Sequence, residues 1–262
     1  MVELRTRGEV SEIAGQRVDI PTSQGTTLRG KFVRPSEIFG ERPPAVLLTH
    51  GAAANFDPLP FFHQLQTDLQ DAGFASLAVN LSGVGDSTGN YFEQSINKRV
   101  GDVRDAWHFL QRQNVDTERM ALLTGSLNGH VAAKLTKSIN IPALVLYEPA
   151  AYLNEAEGVY FGPVFSEVIR SPQNPLSESP VFEDYLASYK GNLFVTFGTS
   201  DPVIPAYVRV AYFNLADEYL SLGEINHALL GNPKLDAPGS VFRQSLYKST
   251  ISFLERSLLP KK

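Results

Sequence analysis

Apolar residues recur along this chain in short blocks, and most blocks do not alternate. Ala45–Thr49, Ala75–Leu81, Met120–Thr124, Ala143–Tyr147 and Leu193–Phe197 are apolar nearly throughout. A strand with one wet face alternates apolar and polar residues, whereas a strand covered on both faces does not. These blocks therefore predict buried strands of a parallel sheet. Arg17 to Pro35 reads as two strands joined by a turn at Ser23-Gln24-Gly25, and Glu218–Leu222 as a further strand. Helical spacing fills the intervals. In Ile96–Gln113, Val100, Val103, Trp107 and Leu110 fall three or four apart on one side. Phe61–Asp71, Val131–Lys137, Pro205–Leu215 and Ser240–Leu258 complete the helices. Alternating strands and helices predict an α/β fold with a doubly wound, mostly parallel sheet of about eight strands.

One segment breaks the rhythm. Pro149 to Lys190 carries Pro163, Pro172, Pro175 and Pro180 and no clear strand. A loop of about 40 residues in a compact domain is usually functional. It predicts a small cap, residues 150–190, inserted in a single domain spanning 1–262. Such a cap would lie over the carboxyl ends of the strands, where open α/β sheets bind ligands.

Composition removes several classes. The 262 residues include no cysteine, which excludes disulfides and thiolate metal sites. The N-terminal MVELRTRGEV has no apolar signal-peptide core, and no apolar run reaches the roughly 20 residues of a membrane span. The expectation is a cytoplasmic protein, monomer or homodimer. A net charge of −5 without a basic block argues against nucleic acid as a partner.

The candidate chemistry begins at Ala121–Leu135, ALLTGSLNGHVAAKL, where an apolar run turns at Gly125-Ser126 into a helical pattern. A serine on a strand-to-helix turn is how a nucleophile elbow is built. Asp201 follows the run ending at Phe197, and His227 follows the strand Glu218–Leu222. The order serine, aspartate, histidine, each just past a strand, suits acyl transfer. Histidine can take and return the serine proton near neutral pH, and the aspartate fixes its tautomer.

With these residues in order, the chain resembles the α/β-hydrolase superfamily, in its esterase-like branch, over nearly its whole length. Further matches are Thr27-Leu28-Arg29-Gly30 in the second strand and His50-Gly51 after the third. Gly83-Val84-Gly85-Asp86-Ser87-Thr88-Gly89 matches the loop after the fourth, and Asp201-Pro202-Val203-Ile204-Pro205 the loop after the seventh. The resemblance implies a catalytic Ser126, Asp201 and His227, and an oxyanion hole from the backbone N–H groups of Ala52 and Leu127. It implies no cofactor and no metal, and no His, Asp or Glu run has metal-ligand spacing.

The elbow departs from the family's Gly-x-Ser-x-Gly. With Ser126 as nucleophile the flanks are Thr124 and Asn128; with Leu127 in that slot the flanks are Gly125 and Gly129, and the nucleophile is lost. Asn tolerates unusual backbone angles and Thr suits a strand end, so the Ser126 register is preferred. Fallback acids are Glu224 and Asp236. His50 and the cap aromatics Tyr152, Tyr160, Phe161 and Phe165 are candidates for a substrate pocket, although the aromatics could equally form the cap's own core. Within the cap, Glu155, Glu157, Glu167, Glu178, Glu183 and Asp184 outnumber Arg170 and Lys190. An acidic cap repels anions and predicts a neutral small ester-like substrate. The resulting expectation is a serine hydrolase cleaving a carboxylic ester, with a thioester or an amide as variants. Alternatives are a non-catalytic binding protein with a degenerate elbow, and a cofactor-free lyase or perhydrolase on the same triad.

Overall fold

Eight strands pair into one sheet: β1 (Gln16–Pro21), β2 (Thr27–Val33), β3 (Ala45–Thr49), β4 (Ala75–Asn80), β5 (Met120–Gly125), β6 (Ala143–Tyr147), β7 (Asn192–Gly198) and β8 (Glu218–Leu222). Their order is β1-β2-β4-β3-β5-β6-β7-β8. The computed structural model describes residues 15–52, 59–170, 178–227 and 240–259. β1 and β2, and β2 and β4, pair antiparallel; every later pair is parallel.

The burial pattern explains the sequence pattern. β3, β4 and β6 are buried at every position, because helices cover both faces of the sheet. The outer strands β1 and β8 instead alternate, with Val18 and Ile20 facing in on β1. Successive residues of the central strands feed two cores. Leu47, Leu77, Leu122, Leu144 and Val195 pack beneath α2 (Ile96–Gln111), α3 (Leu127–Leu135) and α5 (Ala206–Leu215). Val46, Leu48, Leu123, Val145 and Phe194 pack on the other face against α1 (Leu59–Asp71) and α6 (Val241–Leu258), through Phe62, Leu65, Phe253 and Leu254. Each such side chain, fully buried, contributes about 1.5–3 kcal/mol of transfer free energy.

Two features near the site differ from expectation. The helix expected from Val131 begins at Leu127, because Asn128, Gly129 and His130, polar or small on paper, are all buried and helical. The segment between β6 and β7 has local order: a helix α4 (Pro163–Arg170) with Phe165 buried, and a π-helical turn at Val181–Tyr185. Residues 171–177 of the expected cap, with Pro172 and Pro175, lie outside the described residues.

Strand register sets the site. Leu48 pairs with Leu123, Gly125 with Tyr147, Tyr147 with Thr196, and Gly198 with Leu222. The carboxyl ends of β3, β5, β6, β7 and β8 therefore reach one edge together. His50, Ser126, Glu148, Asp201 and His227 all lie just past that edge. The glycine-rich loop after β4 closes by tight turns, with Val84 N–H donating to Leu81 O at 3.0 Å and Gly83 N–H to Thr88 O at 3.0 Å. Asp102 of α2 anchors it, accepting from Ser82 N–H at 2.9 Å and Ser82 Oγ at 3.0 Å.

Candidate active site

Ser126 sits between β5 and α3 at φ 50° and ψ −128°, a backbone conformation few non-glycine residues adopt. Such strain persists only when neighbours fix the chain, and they do. Ser126 N–H donates to Tyr147 O at 2.9 Å, and Ser126 O accepts from Gly129 N–H at 2.8 Å and Ala150 N–H at 2.9 Å. The two elbow glycines are required by close approach rather than by φ. A Cβ on Gly125 would lie 2.5 Å from Tyr147 O, and one on Gly129 would lie 2.3 Å from Pro149 Cβ. Ser126 thus occupies the apex of the turn, and Leu127 opens the helix, 4% exposed.

Thr124 and Asn128, the residues standing where glycines were expected, are cross-links to β3. Thr124 Oγ1 accepts from Thr49 Oγ1 at 2.8 Å, and Asn128 Nδ2 donates to His50 O at 2.5 Å. Both are buried, so each bond is shielded from water. Together they tie the elbow to the loop running from His50 to Ala52. That loop passes close: a Cβ on Gly51 would lie 2.8 Å from Ser126 Cβ. His50 fixes it further. Leu81 N–H donates to His50 Nε2 at 3.0 Å, so Nδ1 carries the proton and donates to Gly51 O at 2.8 Å. Burial, reinforced by the charge of Arg99, pushes the His50 pKa down to about 3 and keeps the ring neutral. Leu127 N–H lies in the first helical turn, where backbone donors lack intrahelical partners. Ala52 is the last described residue of its loop.

His227 Nε2 lies 2.9 Å from Ser126 Oγ, and His227 Nδ1 lies 3.0 Å from Asp201 Oδ2. Nδ1–H therefore donates to the carboxylate, leaving Nε2 to accept the serine proton. Asp201 uses its other oxygen as a turn cap, accepting from Val203 N–H at 2.7 Å and Ile204 N–H at 3.0 Å. Burial works to raise the Asp201 pKa, but the bonds from His227, Ile204 and Val203 outweigh it and hold the carboxyl below its ordinary value. The loops carrying the pair are joined by Thr199 N–H to Leu222 O at 2.8 Å and Ser200 N–H to Ile225 O at 3.1 Å.

A second carboxylate escaped the sequence reading. Glu148 follows β6 at φ 47°, is 1% exposed, and places Oε2 3.9 Å from His227 Nδ1. Its Oε1 accepts from Gly198 N–H at 3.2 Å. On paper it is one acid before a proline; only the shared strand ends bring it to the histidine. Glu148, Asp201 and His227 offer three potential ligand atoms within 4.8 Å of one another, a convergence that no linear spacing announces. The His227–Asp201 contact, at 3.0 Å, has the length of a hydrogen bond. Of the fallback acids, Glu224 sits in the turn after β8 with its N–H bonded to Thr199 Oγ1 at 3.0 Å, and Asp236 lies outside the described residues.

The expected pocket aromatics largely pack on one another. Phe161 and Phe165 ring centres are 5.1 Å apart, and Tyr152 lies 5.6 Å from Phe165. Tyr160 instead is 56% exposed and borders an open cavity of about 480 Å³ lined by Gly158–Val164. His130, buried on α3, ties this segment to the elbow helix: it accepts from Tyr152 N–H at Nδ1 (3.1 Å) and donates to Glu157 from Nε2 (2.9 Å). Lys134 and Tyr185 also bond Glu157, and together these donors overcome the opposing effect of burial and pull its pKa down to about 2.

Solved structures share this architecture. DcsB, solved with its substrate analogue, matches at a TM-score of 0.71 and 18% identity, across 94% of this chain and 100% of that one. The Pyrococcus furiosus esterase Pf2001 matches at 0.67 and 19%, across 94% and 93%. Thermogutta terrifontis esterase 2, phosphoramylated by tabun, matches at 0.70 and 16%, across 98% and 100%. The chain has the α/β-hydrolase fold. No protein-family model and no curated protein matches it. Among the described residues, no helix is long and apolar enough to cross a membrane.

Proposed function

We propose that the protein is a serine hydrolase cleaving a small carboxylic ester through an acyl-enzyme on Ser126. The observation carrying this reading is the continuous line from Ser126 Oγ to His227 Nε2 (2.9 Å) and from His227 Nδ1 to Asp201 Oδ2 (3.0 Å). A non-catalytic binding protein would have no use for a strained serine held within hydrogen-bond reach of a base that an acid orients. Three esterases or their complexes among the structural neighbours add fold-level support.

In this reading Ser126 Oγ attacks the ester carbonyl carbon as its proton passes to His227 Nε2. The developing oxyanion is held by the N–H groups of Leu127 and Ala52, each contributing about 3–4 kcal/mol. The imidazolium, stabilised by Asp201, then protonates the departing alcohol. Water, deprotonated by His227, releases the acid. No cofactor enters these steps. Residues 150–190 serve as the cap, and its acidic surface disfavours polyanionic groups such as coenzyme A or phosphate near the mouth. The part of the substrate facing that surface is neutral.

A fluorophosphonate probe tests this directly. Wild-type protein should be labelled at Ser126, and Ser126→Ala and His227→Ala should not, while all three keep the same far-UV circular dichroism. A folded wild type that neither labels nor hydrolyses short-chain 4-nitrophenyl esters would end this reading.

A further inference from the structure

Behind the catalytic wall lies a cation that the hydrolytic steps leave unused. Arg99, in the first turns of α2, is 1% exposed, and its Nε, Nη1 and Nη2 have no hydrogen-bond partner. Its guanidinium carbon lies 5.6 Å from the Tyr91 ring centre and 5.7 Å from that of Phe161. Burial lowers its pKa to about 10, which still leaves it charged at neutral pH. Asp102, one turn on, supplies a buried countercharge but no hydrogen bond to the guanidinium. Its oxygens already take Ser82 N–H, Ser82 Oγ and Gln24 Nε2, at 2.9, 3.0 and 3.0 Å.

A buried guanidinium needs hydrogen-bonded acceptors as well as a countercharge, and the two aromatic faces offer none. The cation is therefore short of an acceptor from within the chain. Its position says where one would come from. Phe161 belongs to the segment after β6 and Tyr91 to the loop after β4, so the guanidinium lies where cap and body meet. Its charge reaches His50, whose carbonyl is held by Asn128 and whose next residue abuts Ser126. Two further buried acceptor oxygens, Gln94 Oε1 in the loop after β4 and Asn128 Oδ1 on α3, also lack partners. Unpartnered donors and acceptors buried together leave polar atoms for a ligand to satisfy.

We propose that Arg99 anchors a carboxylate at the far end of the substrate's acyl chain, so that the preferred substrate is a half-ester of a short dicarboxylic acid. This rests on the serine hydrolase reading and narrows it. A planar guanidinium matches a carboxylate through paired N–H···O bonds. The acidic cap is compatible with one buried negative charge. Two of its acids, Glu157 and Asp184, are already compensated by Lys134 and Lys137 of α3 and the residues that follow it.

The test compares 4-nitrophenyl hydrogen succinate and glutarate with neutral 4-nitrophenyl butyrate. Wild type should favour the half-esters in kcat/KM by tenfold or more, mostly through KM. In Arg99→Gln that ratio should fall at least tenfold, with partial rescue in Arg99→Lys. A second measurement is independent of turnover: glutarate titrated calorimetrically into folded Ser126→Ala protein should bind saturably, competing with no more than weak binding of inorganic phosphate. If esters are not cleaved but glutarate binds, the hydrolase reading fails and the anion site stands. No half-ester preference together with no glutarate binding would overturn the site and leave internal water as the partner of Arg99. Tighter binding of phosphate than of glutarate would overturn the carboxylate assignment.

Discussion

Restoring the family's glycine at Asn128 should harm this protein rather than improve it. Asn128→Gly removes the 2.5 Å bond from Asn128 Nδ2 to His50 O. The His50 carbonyl then loses a partner in a site that is 1% exposed, at a cost of about 1–3 kcal/mol. Glycine in place of asparagine subtracts a few tenths of a kcal/mol of helix propensity. Against this, deleting the buried, unpartnered Asn128 Oδ1 returns on the order of 1 kcal/mol. The net destabilisation is about 1–2 kcal/mol, which for a chain of this size lowers Tm by about 2–8 °C. Catalysis should suffer more than stability, because the lost bond tethers the loop proposed to carry an oxyanion donor. A displacement of even about 1 Å there can cost about a hundredfold. We expect kcat to fall about 10- to 100-fold with KM little changed, the signature of an interaction made in the transition state. Scanning calorimetry and initial rates on a 4-nitrophenyl ester would measure both. An Asn128→Gly protein with unchanged or higher Tm and kcat within twofold of wild type would refute the reasoning.

Two other outcomes follow from neighbouring carboxylates. Glu148 lies 3.9 Å from His227 Nδ1, so Asp201→Asn should keep more activity than the loss of roughly ten-thousandfold typical of a lone triad acid. Glu148→Gln in that background should remove the remainder; equal rates for the single and double variants would count against a supporting role. Glu157 has its pKa lowered from 4.5 to about 2 in the folded state, so its stabilisation is complete above 4.5 and lost as pH falls toward 2. Glu157→Gln should therefore lower Tm at pH 7 far more than at pH 3, and a uniform drop across pH would contradict the ionic account.

Much of the fold was legible because burial on both faces leaves a mark on each strand by itself. Leu47 and Leu48 are apolar whichever core they enter, and Asp201-Pro202 stands directly after such a run. The elbow register was harder, because its decisive contacts are distant in sequence. Thr124 meets Thr49 and Asn128 meets His50 across 75 and 78 residues. Glycine spacing carries no trace of such bonds, so the substitution looked like decay when it is a cross-link. Glu148 and Arg99 were hidden for a related reason. A charged residue beside a proline, or one place off a helix's apolar stripe, reads as solvated until the fold brings other elements over it.

The separation of Ser126 from His227 by 101 residues also bears on the life of the chain before it is folded. Ser126, Asp201 and His227 follow β5, β7 and β8, three of the last four strands in sequence order. Pairing of that kind is slow, since long loops must close before any contact rewards them. A growing or partly folded chain therefore carries a serine without its base. On the proposed reading such a chain cannot yet form an acyl-enzyme, and reactivity arrives in a single late step. Acquisition of probe labelling during refolding would then report docking of the last strand, a clock for native assembly built into the chemistry.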